Sequence, residues 1–349
     1  MILAGDVGGT KCNLAFYSFT NGIPEVCFEK SYPSEDFSGL EAVSAAFLSD
    51  SRDLFSSTGP SIEAACFGIA GPVVNQKVST TNLPWEISAS SLSEALEIGR
   101  VFLLNDLEAT GYGVLSLGDE QFLTLNPGKT DPGGQAALIA AGTGLGEGFF
   151  VSFSGRTLPF PSEGGHSSFS PCSSLEVSLL EYLEKKYGHV SSERVLSGPG
   201  LLNIYNFLRD TKRAEEPPVF ADDLAKAVDP SAYISSRAME NSPEIAVKAL
   251  DIFTAVYGSA AANLALKVKA TAGVYVGGGI APKIIPFMKK GLFMESFLAK
   301  GRMRGLLEDM PVKVVLEPKA ALLGAACYGT RACKENRVAG NLESDQSTE

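Results

Sequence analysis

Hydrophobic positions along this chain alternate between two rhythms. Ile2–Asp6, Asn13–Thr20 and Pro24–Ser31 are short β-rich runs bounded by turn residues, the first turn covering Val7–Lys11, so the chain opens as a predicted three-stranded meander. Leu40, Val43, Phe47, Leu54 and Phe55 then recur at helical spacing. Ile62–Ile69 and Val101–Leu104 read as buried strands, with a helical stretch Leu92–Ile98 between them. The predicted order is β-β-β-α-β-α-β-α. It begins again at strand Ala136–Ala141, followed by a glycine turn over 142–148, strands Phe149–Phe153 and Arg156–Phe160, and an amphipathic helix through Leu175, Leu179, Leu180 and Leu183. Further helical segments follow, one within about 243–268. Strand Gly273–Val276 then meets Gly277-Gly-Gly279, and strand Val312–Leu316 leads into a helix over about Lys319–Arg331. A repeated β-β-β-α unit predicts two similar α/β half-molecules facing one another. The first domain is expected over 1–116 plus about 317–331, the second over 117–316, and a frayed polar tail over 332–349. The last helix is the expected hinge.

Composition narrows the function. A chain of 349 residues that is 45% hydrophobic has ample material for two cores. A net charge of −11, from 40 acids against 29 bases, opposes any broad attraction to nucleic acid or anionic membrane. The longest apolar runs, such as Ala136–Gly146 and Ala255–Leu266, fall short of the roughly 20 residues that cross a bilayer, so a soluble protein with no membrane partner is expected. Strand-like Met1-Ile-Leu-Ala-Gly5 runs directly into a glycine turn, and no export or import signal is visible. Cys12, Cys27, Cys66, Cys172, Cys327 and Cys333 are scattered without a Cys-x-x-Cys pair, which predicts reduced, mostly buried thiols. His166 and His189 stand at no metal-ligand spacing to each other or to a cysteine pair, against a structural zinc site.

Glycine, at 36 residues of 349, exceeds the usual share of about 7%, and the surplus gathers at 5–9, 142–148, 164–165 and 277–279. Such clusters between strands suit tight turns approached by a ligand. Gly5-Asp-Val-Gly-Gly-Thr-Lys11 presents the N–H groups of Gly8 and Gly9, the Thr10 hydroxyl and the Asp6 carboxylate. The donors suit phosphate oxygens and the carboxylate suits a hydrated Mg²⁺. Gly142-Thr-Gly-Leu-Gly-Glu-Gly148 repeats glycine and threonine at the matching place in the second half, and two opposed phosphate loops imply a cleft between the halves. Gly128-Lys-Thr130 is not a P-loop, because the required earlier glycine is Leu123, and the 142–148 run has neither the spacing nor the following helix of a dinucleotide turn.

Val101-Phe-Leu-Leu-Asn105-Asp106 ends an apolar strand in an amide and an acid, at the strand end where α/β sheets collect ligands. Because Asp106 precedes Leu107-Glu-Ala, it suits either a helix N-cap or a general base. Ser162-Glu163-Gly-Gly-His166 sets a carboxylate and an imidazole beside two glycines, a clamp suited to vicinal hydroxyls, although a lone histidine is also an ordinary structural residue. Glu193 by itself reads as a solvated acid at a helix start.

Taken in order, Asp6-Val-Gly-Gly-Thr10, Asn82-Leu-Pro-Trp85, Leu104-Asn-Asp106, Ala141-Gly-Thr-Gly144, Glu163-Gly-Gly-His166, Glu193-Arg-Val-Leu-Ser-Gly-Pro-Gly200 and Gly277-Gly-Gly279 resemble the motif series of bacterial glucokinases over about residues 3–330. That resemblance implies the duplicated actin-like (ribonuclease H-like) two-lobed α/β fold of the actin, heat-shock-70 and hexokinase superfamily, with an interdomain cleft. It implies an ATP-dependent kinase acting on the 6-hydroxyl of glucose. Asp106 would be the base, and Asn105, Asp106, Glu163, His166 and Glu193 would bind the sugar. ATP phosphates would lie between Asp6, Gly8, Gly9, Thr10 and Gly142, Thr143, Gly144, with adenosine near Gly277, Gly278 and Gly279 and Mg²⁺ at Asp6. Lys11 is left outside this set. The related repressor and sugar-kinase group called ROK typically carries a Cys-x-Cys-Gly-x-x-Gly-Cys zinc motif after its sugar-binding histidine, and nothing like it follows His166. The resemblance further implies a cytoplasmic homodimer with glucose and ATP as partners. A kinase for another hexose or an amino sugar, and a sugar-sensing protein without turnover, are the competing readings.

Overall fold

The structure is a computed structural model that describes residues 1–52, 61–79 and 83–346, with only the backbone of 336–346. Leu54, Phe55 and Asn82, used above, lie outside the described residues. The chain divides into two compact units, Met1–Leu117 with Lys319–Glu349, and Gly118–Pro318.

In unit 1, strands β1 (Ile2–Val7), β2 (Lys11–Thr20), β3 (Ile23–Pro33), β4 (Ala64–Ile69) and β7 (Val101–Asn105) form one sheet in the order β3-β2-β1-β4-β7. The first three are an antiparallel meander, and β1, β4 and β7 run parallel. Two strands of three residues each, β5 (Lys77–Ser79) and β6 (Glu86–Ser88), pair separately. Central β4 is buried at every position, as a parallel strand covered on both faces must be. Alternation sorts the side chains of β1 and β4: Leu3, Ala65 and Phe67 join a core with Val43 and Phe47 of α1 (Leu40–Asp50) and Leu92 of α2 (Ala89–Leu96). Ile2, Ala4, Ala64 and Cys66 join Ala109 of α3 (Asp106–Val114) and residues of the last helix on the opposite face.

In unit 2, β8 (Phe122–Asn126), β9 (Ala136–Ala141), β10 (Leu145–Phe153), β11 (Arg156–Ser162), β12 (Gly273–Gly277) and β13 (Val312–Val315) form a sheet ordered β11-β10-β9-β12-β13-β8. The sequence β11-β10-β9-β12-β13 repeats β3-β2-β1-β4-β7 in both order and direction. The duplication is therefore present in the topology, with β8 an addition at one edge. Helices α4 (Ser174–Tyr187), α5 (Gly198–Asp210), α6 (Pro218–Lys226), α7 (Pro230–Met239) and α8 (Glu244–Val268) follow β11, and α9 (Ile285–Lys289), α10 (Leu292–Leu298) and α11 (Arg304–Glu308) follow β12. α8 is long and apolar enough to cross a membrane by length and composition alone, but 67% of its apolar window is buried within the protein, where Phe253, Tyr257 and Ala261 join the main core.

Several expectations need correction. The second glycine turn is only three residues, 142–144, because Leu145 already pairs with Ala141 and the strand continues through Gly146 and Gly148. The last helix, α12, covers Ala320–Gln346 instead of stopping at Arg331, since the polar stretch beyond is rich in good helix formers. Of the six cysteines, all free, only Cys12, Cys66 and Cys333 are buried, while Cys27 and Cys172 are exposed.

Candidate functional site

In unit 1, residues 8–10 turn between β1 and β2. The Gly8 amide donates to the Lys11 carbonyl at 3.0 Å, and buried Ser34 braces the turn from outside. Its hydroxyl donates to the Gly8 carbonyl at 2.9 Å and its amide to the Thr10 carbonyl at 3.0 Å. Asp6 stands opposite Asn13 in the ladder. Ser31 donates to Asn13 Oδ1 at 2.7 Å, and Asn13 Nδ2 donates to Asp6 Oδ2 at 3.1 Å. Burial pushes the Asp6 carboxyl up from its ordinary value, opposed by the Asn13 bond and the charge of Lys11. A cation beside that carboxylate would relieve the same penalty, so Asp6 fits the Mg²⁺ role chemically. Among the described residues no three His, Cys, Asp or Glu side chains gather as a metal-ligand set. Lys11 is exposed.

At the end of β7 the cap belongs to Asn105, not Asp106. Asn105 Oδ1 accepts the Leu107 amide at 3.0 Å and the Glu108 amide at 3.4 Å, and its Nδ2 donates to the Gly71 carbonyl at 3.1 Å. Asp106 is the first residue of α3, and its Oδ1 also accepts the Leu107 amide, at 2.8 Å. The positive end of the helix stabilises a negative charge there. Gln76, which sequence patterning did not single out, secures this corner by pairing in both directions with the Leu103 backbone, at 2.8 Å and 3.3 Å.

In unit 2, the Gly142–Gly144 turn is held on several sides. The Gly142 amide donates to the Gly144 carbonyl at 2.9 Å, the Gly142 carbonyl accepts the Gly198 amide at 2.8 Å, and the Ala141 carbonyl accepts the Ile280 amide at 3.2 Å. This last bond joins it to the second turn, Gly277–Gly279. Gly278 has φ +80°, and a side chain there would collide with the Ala141 backbone, so the fold itself requires glycine at that position. Gly142 and Gly279 differ. Neither has positive φ, and a Cβ at either would meet nothing within 4 Å, so their bareness leaves space in front of the backbone.

Glu163 and His166 share a short turn, with His166 Nε2 3.8 Å from Glu163 Oε2 and both side chains largely exposed. Glu193 lies on another short turn, its Oε2 accepting the Leu145 amide at 3.0 Å. The same oxygen lies 2.6 Å from where a Gly144 Cβ would be. Unit 2 therefore brings Glu193 against its glycine turn and Glu163 beside His166. Glu147 was not anticipated. Its buried carboxyl packs beneath Gly164, and its backbone carbonyl accepts the Ser162 hydroxyl at 2.7 Å, so it underlies the loop carrying Glu163 and His166. Burial pushes the Glu147 carboxyl up, with Lys267 opposing. Both residues line a cavity of about 50 Å³, with Ser167, Ser192 and Asn263 in its wall.

Comparison with known proteins follows the same lines. The family model described as Glucokinase matches residues 3–332. A glucokinase of Nostoc sp. is 41% identical over 344 residues, covering 95% of this chain and 99% of the relative, and one of Synechocystis sp. is 42% identical over 342 residues, covering 93% and 96%. A crystal structure of glucokinase from an Antarctic psychrotroph superposes with a TM-score of 0.80 at 29% identity, covering 95% of this chain and 98% of that one.

Proposed function

The chain belongs to the glucokinase family, and on that premise we propose that it transfers the γ-phosphoryl group of ATP to the 6-hydroxyl of glucose, releasing glucose 6-phosphate and ADP. The observation that carries the reading is local to unit 2: Glu193, a hydroxyl-binding acid by family likeness, rests against a glycine turn with open space before it. On this reading, sugar-binding and phosphate-binding chemistry are adjacent there.

In this reading Asp106 accepts the proton of the 6-hydroxyl as its oxygen attacks the γ-phosphorus and the bond to ADP breaks. Asn105, Glu163, His166 and Glu193 hold the other hydroxyls. A pyranose offers donors and acceptors all round its ring, and a buried partner left unpaired penalises the wrong sugar. Gly8, Gly9 and Thr10 in unit 1, with Gly142, Thr143 and Gly144 in unit 2, supply donors for phosphate oxygens, and Gly277, Gly278 and Gly279 supply the backbone against which adenosine lies. Mg²⁺, when bound, neutralises phosphate charge, and Asp6 would hold it, largely through water. A cytoplasmic homodimer belongs to the same proposal and rests on family likeness, with light scattering as its check.

A coupled assay of ADP release across glucose, other hexoses and amino sugars tests the reading. Glucose should give the highest kcat/KM. Preference for another sugar would replace the substrate, and sugar binding without ADP release would replace catalysis with sensing.

A further inference from the structure

The two glycine turns of unit 2 leave adjacent parallel strands whose last ladder pair is Ala140 with Gly277. Beyond that pair the strands pass into the two turns, still joined by the Ile280 amide donating to the Ala141 carbonyl at 3.2 Å. A side chain from a distant helix bonds to both strand ends. Tyr257, near the middle of α8, accepts the Ala141 amide N–H on its hydroxyl oxygen at 3.1 Å and donates to the Gly277 carbonyl at 3.1 Å, with the Ile139 carbonyl at 3.5 Å. The residue is fully buried. Phe253 and Phe293 meet its ring edge-on, each with centroids 5.9 Å away, which fixes where the hydroxyl points. Burial also pushes the phenol up, so it stays protonated and can donate and accept at once.

Filling that part of the core does not require an oxygen, because phenylalanine occupies nearly the same volume. What the hydroxyl adds is a second connection between the turns, beside the bond from the Ile280 amide to the Ala141 carbonyl: it ties the residue before the Gly142–Gly144 turn to the first residue of the Gly277–Gly279 turn. We propose that Tyr257 is a positioning residue for nucleotide binding, its hydroxyl setting the spacing between the two turns that receive ATP. This rests on the reading of those turns as the nucleotide site. Without the hydroxyl, the Ala141 N–H and the Gly277 carbonyl each lose this buried partner, and the turns shift to recover one. The spacing that suits one ligand spanning both is then lost.

The test compares Tyr257→Phe with the unmodified protein, by steady-state kinetics and by calorimetric titration of ADP without sugar. The KM for ATP and the Kd for ADP should each rise about fivefold or more, the lower end of the cost of orphaning a buried hydrogen-bonding group, while the KM for glucose stays within about twofold. Leu250→Ala, buried on the same helix, should lower the melting temperature without changing ADP affinity. Unchanged ADP binding in Tyr257→Phe, or an equal rise in the glucose KM, overturns the proposal. Gly279→Val, which adds a side chain into open space, separates the two failures. If it binds ADP normally, the nucleotide site has been misread; if it loses ADP while Tyr257→Phe does not, only the role of Tyr257 falls. Hydrogen–deuterium exchange on the unmodified protein gives a readout independent of any variant. ADP should slow exchange in 141–145 and 277–280 together, and protection of one segment alone overturns the coupling.

Discussion

The carboxylate of Glu193 accepts the backbone amide of Leu145 at 3.0 Å, which ties the proposed sugar-binding acid to the glycine turn proposed to bind phosphate. Two substitutions separate the roles. Glu193→Gln retains an acceptor for that amide and removes the charge, so the KM for glucose should rise about tenfold or more, as loss of a charge-assisted bond implies, with the KM for ATP little changed. Glu193→Ala removes the anchor too, and both KM values should rise. Steady-state kinetics with each substrate varied in turn provides the check.

Asp106→Asn should lower kcat by roughly 10²–10⁴, the usual effect of losing a general base. Because Asn105 caps α3, the helix should remain intact and glucose binding should weaken far less than turnover. Near-normal turnover would remove Asp106 from the base role.

Glu163→Gln should raise the KM for glucose far more than that for ATP, because on the proposed reading its carboxylate, beside His166, binds sugar hydroxyls. Equal effects on both substrates would argue for a general structural role. An analogue lacking the 6-hydroxyl should bind without being phosphorylated.

The pH dependence of stability follows from Glu147. Its folded carboxyl titrates above the ordinary value of 4.5 because of burial. Between those two values the folded state holds more protons than the unfolded state, so stability falls as pH rises through the window. Glu147→Gln removes that cost. Its melting temperature should exceed the unmodified protein's at pH 8, and the gap should close as pH falls below about 4.5. Asp6 and Glu108, also raised by burial, are present in both proteins and cancel in the difference. Calorimetric melts across pH decide it.

Much of the scaffold was legible because the signals are local. Apolar runs broken by glycine mark β1, β2, β9 and β12, and their repetition marks the duplication. The errors have equally local causes. Asn105 and Asp106 are both good caps and adjacent, so spacing could not say which one caps. Half-buried edge strand β8 and the three-residue strands β5 and β6 are too weak in pattern to register. The supporting residues were hidden for a different reason. Tyr257 lies 116 residues from Ala141, and Gln76 lies 27 from Leu103, separations across which periodicity carries no information. Glu147 sat in plain view inside the glycine run, yet only the fold shows that its carboxyl lies beneath Gly164.

Gly142 and Gly279 need no glycine for their own backbone, whereas Gly278 does. On the proposed nucleotide reading, folding and ligand binding constrain different positions within the same few residues. In a mutant library selected only for soluble, folded protein, Gly142 and Gly279 should drift freely while Gly278 stays fixed. Selection for growth on phosphoryl transfer should hold all three. Nucleotide preference could then be redesigned at the two permissive glycines, where an added side chain reshapes the space before the backbone at little cost to stability.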